Sequence, residues 1–461
     1  MKIGLLPLYI ELYDNYVAGL RPRLEVFYET IAKELEKRGV DVVRSTFCRL
    51  ECEFDHAVKK FEKENVDAMI TLHMAYSPSL ESIDVFCNTK LPIIVLDTTE
   101  TLEFTAKQNP DELNYCHGIH GVMDMCSMLK QRGKPFAIAA GHYRFSNCID
   151  RALAFVKAAR SAMALSGMRV GIIGEGFRGM GDFAVPYAEL REKFGIEAYD
   201  VEDEELKKFY DAVTDTEIAV EKADHEKNFN FAGEIIEADY NENIKCCLAV
   251  RKYIEENNLA AFSVNFLNFN RVGFPLKSMP FIEACKAMER GIGYAGEGDA
   301  LTASFTAALL KAYPETSFVE IFCPDWNNNM VFLSHMGEVN YRISDTKPCI
   351  SRAGGKFTQS EFPYVGSARM KPGSGVYVNI SRDTDGYQML LAQAEMLPVD
   401  KDAFGGSVRG WMRPKNSVTT AEFLEKLSQN GATHHSSFVY GATVSELEFF
   451  AHICGMKCVV I

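Results

Sequence analysis

Four short segments between residues 296 and 435 combine carboxylates and imidazoles. Gly296-Glu297-Gly298-Asp299 sets an acidic pair among glycines just ahead of a helical pattern. In Thr316-Ser317-Phe318-Val319-Glu320 a glutamate stands inside an apolar strand pattern. Leu333-Ser334-His335-Met336-Gly337-Glu338-Val339 puts a histidine in a further strand, and Gly431-Ala432-Thr433-His434-His435 places two in a loop. An acidic residue in an apolar strand is costly unless it is paired or bound to a cation. Each residue alone also has a structural role open to it. Glu320 fits a sheet edge, His335 fits a hydrogen-bonded core histidine, and Glu297 or Asp299 fits the cap of the following helix. It is their co-occurrence that points to chemistry.

Two glycine patterns compete for attention. Gly291-x-Gly293-x-x-Gly296 follows a helix rather than a strand, which is the wrong context for a dinucleotide turn. Gly174-x-Gly176-x-x-Gly179 follows a strand at 170–173, and Asp200 ends the next strand, where an acid can hold a ribose. Taken alone, Gly174, Gly176 and Gly179 with Asp200 read as an NAD-dependent oxidoreductase site. The alternative is a tight turn at the open edge of any α/β unit, where ligands of many kinds bind.

The elements that must position these residues alternate regularly at first. Buried strand patterns at 3–8, 40–43, 66–72, 91–96 and 136–140 are separated by amphipathic helical patterns. The helix at 23–37 puts Leu24, Phe27, Tyr28, Ile31, Ala32 and Leu35 on one face. A second alternating unit begins at 169. Strands separated by amphipathic helices predict parallel sheets with helices on both faces. After Pro314 the texture changes: 317–322, 330–335 and 375–380 are β-like, and Asp385-Gly386 supplies a hairpin turn before 387–394. Gly354-Gly355 and Gly405-Gly406 mark loops. The fold class is α/β, two Rossmann-like parallel-sheet domains (1–168 and 169–313) followed by a mainly antiparallel, barrel-like β domain (314–461).

Composition narrows the function. The chain has 461 residues, 47% hydrophobic and 24% charged, with a net charge of −14. That acidity argues against nucleic acid or an anionic membrane as partner, since both call for basic surface. It favours a small molecule or a cation. Thirteen cysteines with no CxxC pair make neither a disulfide framework nor a zinc ribbon, and fit small buried residues in a reducing compartment. With no apolar run of membrane-spanning length and no cleavage site after the first strand, the chain reads as cytoplasmic.

Taken in order, Gly296-Glu297-Gly298-Asp299, Thr316-Ser317-Phe318-x-Glu320, Ser334-His335-Met336-x-Glu338-Val339 and His434-His435 resemble the signature stretches of the L-arabinose isomerase family, with weaker similarity through His120-Gly121 and Gly141-His142. The resemblance implies three domains, two Rossmann-like and one β-rich. It also implies a homo-oligomer, trimeric or hexameric, whose active sites are shared between subunits. It implies aldose–ketose isomerisation through an enediol, with the metal held by Glu297, Glu320, His335 and His435. Glu297 and Glu320 are then the catalytic carboxylates, and the sequence does not say which is the base. His117, His120, Phe177, Met336 and His434 would face the sugar, and no redox cofactor is needed. Two carboxylates and two imidazoles suit Mn²⁺ or another divalent transition metal and are too nitrogen-rich for Ca²⁺. Some positions depart from the family pattern: His117 stands where Gln is usual, Ile321 follows Glu320 where Asp is usual, and the 324–329 turn is shorter. They spare the metal set and alter the sugar contacts, which implies an L-arabinose-like pentose, a hexose or a deoxy relative. A non-catalytic sugar-binding relative is the remaining alternative.

Overall fold

The computed structural model describes residues 1–17, 19–353, 360–361, 363–415 and 418–461. The Gly354-Gly355 loop lies outside the described residues. The chain forms two compact units, Met1–Arg160 and Ser161–Ile461.

The first unit is built on a five-stranded parallel sheet. Its strands are β1 (Lys2–Leu8), β2 (Asp41–Arg44), β3 (Ala68–His73), β4 (Ile93–Asp97) and β5 (Phe136–Ala140), in the order β2-β1-β3-β4-β5. All of β3 and nearly all of β1 are buried, which explains why these strands read as continuous apolar runs rather than alternating ones. The helix Leu20–Glu36 covers the sheet with Leu24, Phe27, Tyr28, Ile31, Ala32 and Leu35, the face its periodicity predicts.

The second unit opens with β6 (Arg169–Ile173), β7 (Glu197–Val201), a short β8 (Asn230–Ala232), β9 (Ala261–Val264) and β10 (Gly293–Gly296). Four of these make a parallel sheet in the order β10-β9-β6-β7. Strand β10 was hidden in the sequence, since Gly-Tyr-Ala-Gly has no strand propensity of its own and owes its conformation to pairing with β9.

The remaining strands are β11 (Thr316–Asp325), β12 (Met330–Ser334), β13 (Cys349–Arg352), β14 (Tyr364–Ser367), β15 (Gly373–Asp383), β16 (Gly386–Met396), β17 (Gly410–Pro414), β18 (His435–Tyr440) and β19 (Lys457–Val460). Six of them close an antiparallel barrel, β15-β18-β11-β12-β17-β16, sealed by the long β15–β16 hairpin from Gly373↔Met396 to Asp383↔Gly386. Strand β19 adds to β16 in parallel, and β8, β13 and β14 form a small separate sheet. The alternation of Val376, Val378 and Ile380 suggests one wet face, yet Tyr377, Asn379 and Ser381 are buried as well. Tyr377 packs on Phe423 of the helix Thr420–Gln429, Asn379 bonds to Thr433 and Ser436, and Ser381 accepts from Gln388. On the valine face the almost wholly buried helix Ala300–Ala312 packs among the parallel sheet, β11, β15 and β18. Residues 169–313 and 314–461 therefore share one continuous core.

Among the described residues no helix is long and apolar enough to cross a membrane, and the thirteen cysteines are free.

Candidate metal centre

Glu297 sits just past β10, in a left-handed conformation with φ 65°. Such a backbone is strained for a glutamate and is held here from both sides. Its N–H donates to the Val264 carbonyl at 3.1 Å, and its carbonyl accepts the Phe177 N–H at 2.9 Å. Gly298 follows at φ 83°, where a Cβ would lie 2.5 Å from the Glu175 carbonyl oxygen, so the turn admits only glycine. Asp299 then caps the helix Ala300–Ala312, its Oδ1 accepting the Thr302 N–H at 2.8 Å.

Sheet register brings the other donors to this turn. Glu320 on β11 lies directly opposite His435 on β18 and Ser334 on β12. Directly paired residues project on one face, so Glu320 and His435 point the same way. A bulge follows at once in β11, and its extra residue, Phe322, lines the cavity. His335 follows the end of β12, close against Gly296, where a Cβ would stand 3.1 Å from the ring. The loop before β18 is pinned by the buried Asn379, whose amide donates to Thr433 and His435 carbonyls at 2.8 and 2.9 Å and accepts the Thr433 N–H at 3.1 Å.

The donor atoms face one another across short gaps. His435 Nε2 is 3.4 Å from Glu297 Oε2, His434 Nε2 is 3.6 Å from the same oxygen, and His335 Nε2 is 3.7 Å from Glu320 Oε2. His435 Nε2 and Glu297 Oε2 are buried and have no hydrogen-bond partner among the described residues. On the far side, His335 Nδ1 meets Glu338 at 2.6 Å and His435 Nδ1 meets Asp299 at 2.9 Å. With the proton on Nδ1, each Nε2 offers a lone pair to a carboxylate that also offers lone pairs. A proton shared between them would close the gap to about 2.7–2.9 Å. Donors on one ion at roughly 2.1–2.2 Å lie about 3 Å apart at right angles, about 3.5 Å apart at tetrahedral angles and about 4.4 Å apart when opposite. Gaps of 3.4–3.7 Å therefore fit a cation, and the residues present fit a divalent metal.

Electrostatics points the same way. Among the described residues no lysine or arginine pairs with Glu297, Glu320, Asp299, Glu338 or Asp182. Without a cation the imidazoles answer with protons. Burial opposes a charge on His435, but Asp299 and Glu297 push it up to about 9. Asp182 and Glu297 push His434 up to about 10. Burial would raise Glu297, yet the His434 and His435 rings hold it down to about 2, while burial leaves Glu320 above the usual carboxylate range. Two carboxylates in one site thus have environments that drive their protonation apart.

A cavity of about 250 Å³ opens on these groups, lined by Glu297, Glu320, His335, Met336, Phe322 and Phe281 among others. Phe177 lines a neighbouring cavity of about 420 Å³ with Phe183 and Tyr187, its ring 5.6 Å from Phe266 of the first cavity. His117 and His120 belong to the first unit and come together there. Their rings are 5.1 Å apart, His120 stacks on Tyr76 at 4.9 Å, and His117 Nε2 is 2.9 Å from the Tyr13 hydroxyl. The Gly174–Gly179 turn braces Glu297 through the Phe177 N–H, and the next helix begins only at Tyr187. The helix N-terminus that a pyrophosphate needs does not follow the turn, and Asp200 accepts the Tyr187 hydroxyl at 2.8 Å.

Sequence reasoning missed the groups behind the donors. Glu338 lies three residues beyond His335, and Asp299 has the position of a helix cap. Asp182 and Phe183, which stacks on His435 at 4.8 Å and 7°, left no sequence signal.

Comparison with known proteins bears on the same residues. Residues 179–313 match the L-arabinose isomerase central domain, and residues 315–457 match the L-arabinose isomerase C-terminal domain. L-arabinose isomerase of Aeromonas salmonicida (strain A449) is 23% identical over 418 residues, covering 86% of this chain and 81% of that enzyme. That of Geobacillus thermodenitrificans (strain NG80-2) is 27% identical over 232 residues, 48% of this chain and 44% of that enzyme. A periplasmic solute binding protein of an ABC transporter from Actinobacillus succinogenes 130z, solved with bound D-allose, covers 68% of this chain and 91% of its own at 16% identity. Its TM-score is 0.19, which carries no structural argument.

Proposed function

The chain belongs to the L-arabinose isomerase family, and from that premise we propose that it is a metal-dependent aldose–ketose isomerase. The divalent ion, Mn²⁺ by the chemistry of its donors, is held by Glu297, Glu320, His335 and His435. The observation that carries this reading is the meeting of carboxylate oxygens and imidazole Nε2 atoms at 3.4 and 3.7 Å at a cavity wide enough for a monosaccharide.

In the reaction, the C1 carbonyl and C2 hydroxyl of an aldose become the C1 hydroxyl and C2 carbonyl of a ketose. A bound divalent ion supplies Lewis-acid polarisation of the two adjacent sugar oxygens. Glu320, with one imidazole at 3.7 Å and access to the cavity, takes the proton from C2 and returns it to C1 by way of an enediol. Glu297, ionised at rest between His434 and His435, takes the proton from the C2 hydroxyl and delivers it to the oxygen on C1. Met336, Phe322 and Phe281 line the cavity beside the reacting carbons and keep bulk water from the enediol. The substrate is an L-arabinose-like pentose, a hexose or a deoxy relative. The protein works as a homo-oligomer in which His117 and His120 of one subunit act on sugar bound at a neighbour's metal centre.

The test is ketose formation from a panel of aldoses, using chelator-treated protein with and without added Mn²⁺. Turnover that depends on Mn²⁺ and singles out one or a few aldoses is expected. Full turnover in metal-free protein refutes the metal mechanism, and no turnover of any aldose in Mn²⁺-loaded protein refutes the isomerase.

A further inference from the structure

Every imidazole at this centre has the same two-sided setting. His335 Nδ1 faces Glu338 at 2.6 Å, His435 Nδ1 faces Asp299 at 2.9 Å, and His434 Nδ1 faces Asp182 at 2.6 Å. The opposite nitrogens face Glu320 at 3.7 Å, Glu297 at 3.4 Å and Glu297 at 3.6 Å. A carboxylate on the far nitrogen is the usual partner of a metal-bound imidazole, because it fixes the ring and selects the tautomer that leaves the near nitrogen bare. His434 carries this signature in full, although the family resemblance assigns it to the sugar.

We propose that His434, oriented by Asp182, is a third imidazole ligand of the divalent ion in the sugar-free protein. The inference rests on the metal centre proposed above. The donors fall into two triads that share His435: Glu297 with His434 and His435, and Glu320 with His335 and His435. In each, the donor atoms lie within 4.8 Å of one another. His434 gives Glu297 the same two imidazole neighbours that Glu320 has in His335 and His435. Asp182 grips His434 twice, accepting the backbone N–H at 2.9 Å as well as meeting the ring, so the ring is not free to turn away. Asp182 is a positioning residue, carried on the segment that follows β6.

A second grouping shows what the alternative looks like. Glu221, Asp224 and His225 are also close enough to hold an ion. There Arg251 and Lys286 reach Glu221 at 2.7 and 2.6 Å, and Lys286 reaches Asp224 at 2.7 Å, so the negative charge is already answered. No such side chain answers Glu297 or Asp182 among the described residues.

The test uses full-length protein, chelator-treated and titrated with Mn²⁺ alone. Free Mn²⁺ is followed by EPR, and nitrogen couplings to bound Mn²⁺ by pulsed EPR on ¹⁵N-histidine-labelled protein. Three imidazole nitrogens are expected in the parent protein and two in His434→Ala, with affinity at least tenfold weaker. Asp182→Asn should weaken binding by roughly 10–100-fold, and it carries the test if the alanine variant does not fold. An unchanged nitrogen count and affinity in His434→Ala, or in Asp182→Asn standing in for it, overturns the assignment and leaves the metal centre standing. A parent protein that binds no Mn²⁺ overturns both.

Discussion

Replacing Asp299 by asparagine and by alanine separates two functions that one side chain performs. Oδ1 caps the helix Ala300–Ala312 at 2.8 Å from the Thr302 N–H, Oδ2 accepts from His435 Nδ1 at 2.9 Å, and the residue is fully buried. Alanine removes both contacts. Loss of the cap costs about 1 kcal/mol, and a buried Nδ1–H without an acceptor costs about 1–3 kcal/mol, so the metal-free protein should lose about 2–4 kcal/mol. Asparagine still caps, but its amide N–H now faces His435 Nδ1. Two donors cannot face each other, so the imidazole moves its proton to Nε2 and loses the lone pair it would offer the ion. The asparagine variant should therefore lose most of the metal affinity, about 10–100-fold, at a much smaller cost in stability. Urea unfolding of chelator-treated protein measures the first quantity and Mn²⁺ titration the second. If Asp299→Asn binds Mn²⁺ as tightly as the parent, then Asp299 is a cap and nothing more. The claim that buried carboxylates select the imidazole tautomers would fail with it.

The remaining expectations use other parts of the molecule. Glu297→Gln and Glu320→Gln should each lower turnover at least ~10²-fold through lost acid–base chemistry, whereas Asp200→Ala, which removes the acceptor of the Tyr187 hydroxyl, should turn over normally; normal Gln variants beside a dead Asp200→Ala would favour the oxidoreductase alternative. Co-expressed His120→Ala and Glu297→Gln chains should recover part of the activity each lacks alone, and a verified mixed oligomer that recovers none rules out a site shared between subunits. At Glu221, burial works against the charge but His225, Arg251 and Lys286 outweigh it and hold the carboxyl well below its ordinary value of 4.5. Its contribution is therefore complete above about pH 5 and lost as the pH falls below that ordinary value. Glu221→Gln should cost about 3 kcal/mol at neutral pH, a gap that narrows in acid; a pH-independent gap in urea unfolding would contradict the ion network.

The α/β alternation was legible because its signals are local. A helix such as Leu20–Glu36 shows its buried face in its spacing, and fully buried parallel strands show themselves as apolar runs. Strand β10 escaped because pairing, not propensity, makes it a strand, and β8 and β14 are as short. The second buried face of β15 escaped because what covers it, Phe423 and the loop at Thr433, comes much later in the chain.

The site divides along the same line. Glu297, Glu320, His335 and His435 stood out because an acid or an imidazole in apolar surroundings is conspicuous where it stands. The residues that make them a metal centre are ordinary where they stand: Asp299 passes for a helix cap, Glu338 for a strand-end acid, and Asp182 for a polar loop residue. Their importance appears only when β18 closes the barrel against β11 and carries His434 and His435 up to the Glu297 turn. Ile321 illustrates the point. Its position lacks the acid that is usual there in the family pattern. Yet all three imidazoles have a carboxylate on Nδ1, drawn from three different parts of the chain. An orienting acid has only to reach a ring nitrogen within hydrogen-bonding distance, and many backbone positions satisfy that. A metal ligand must meet the same ion as its fellows, and few do. Ligand positions are therefore readable in one sequence, while the acids that orient them are readable only in the fold.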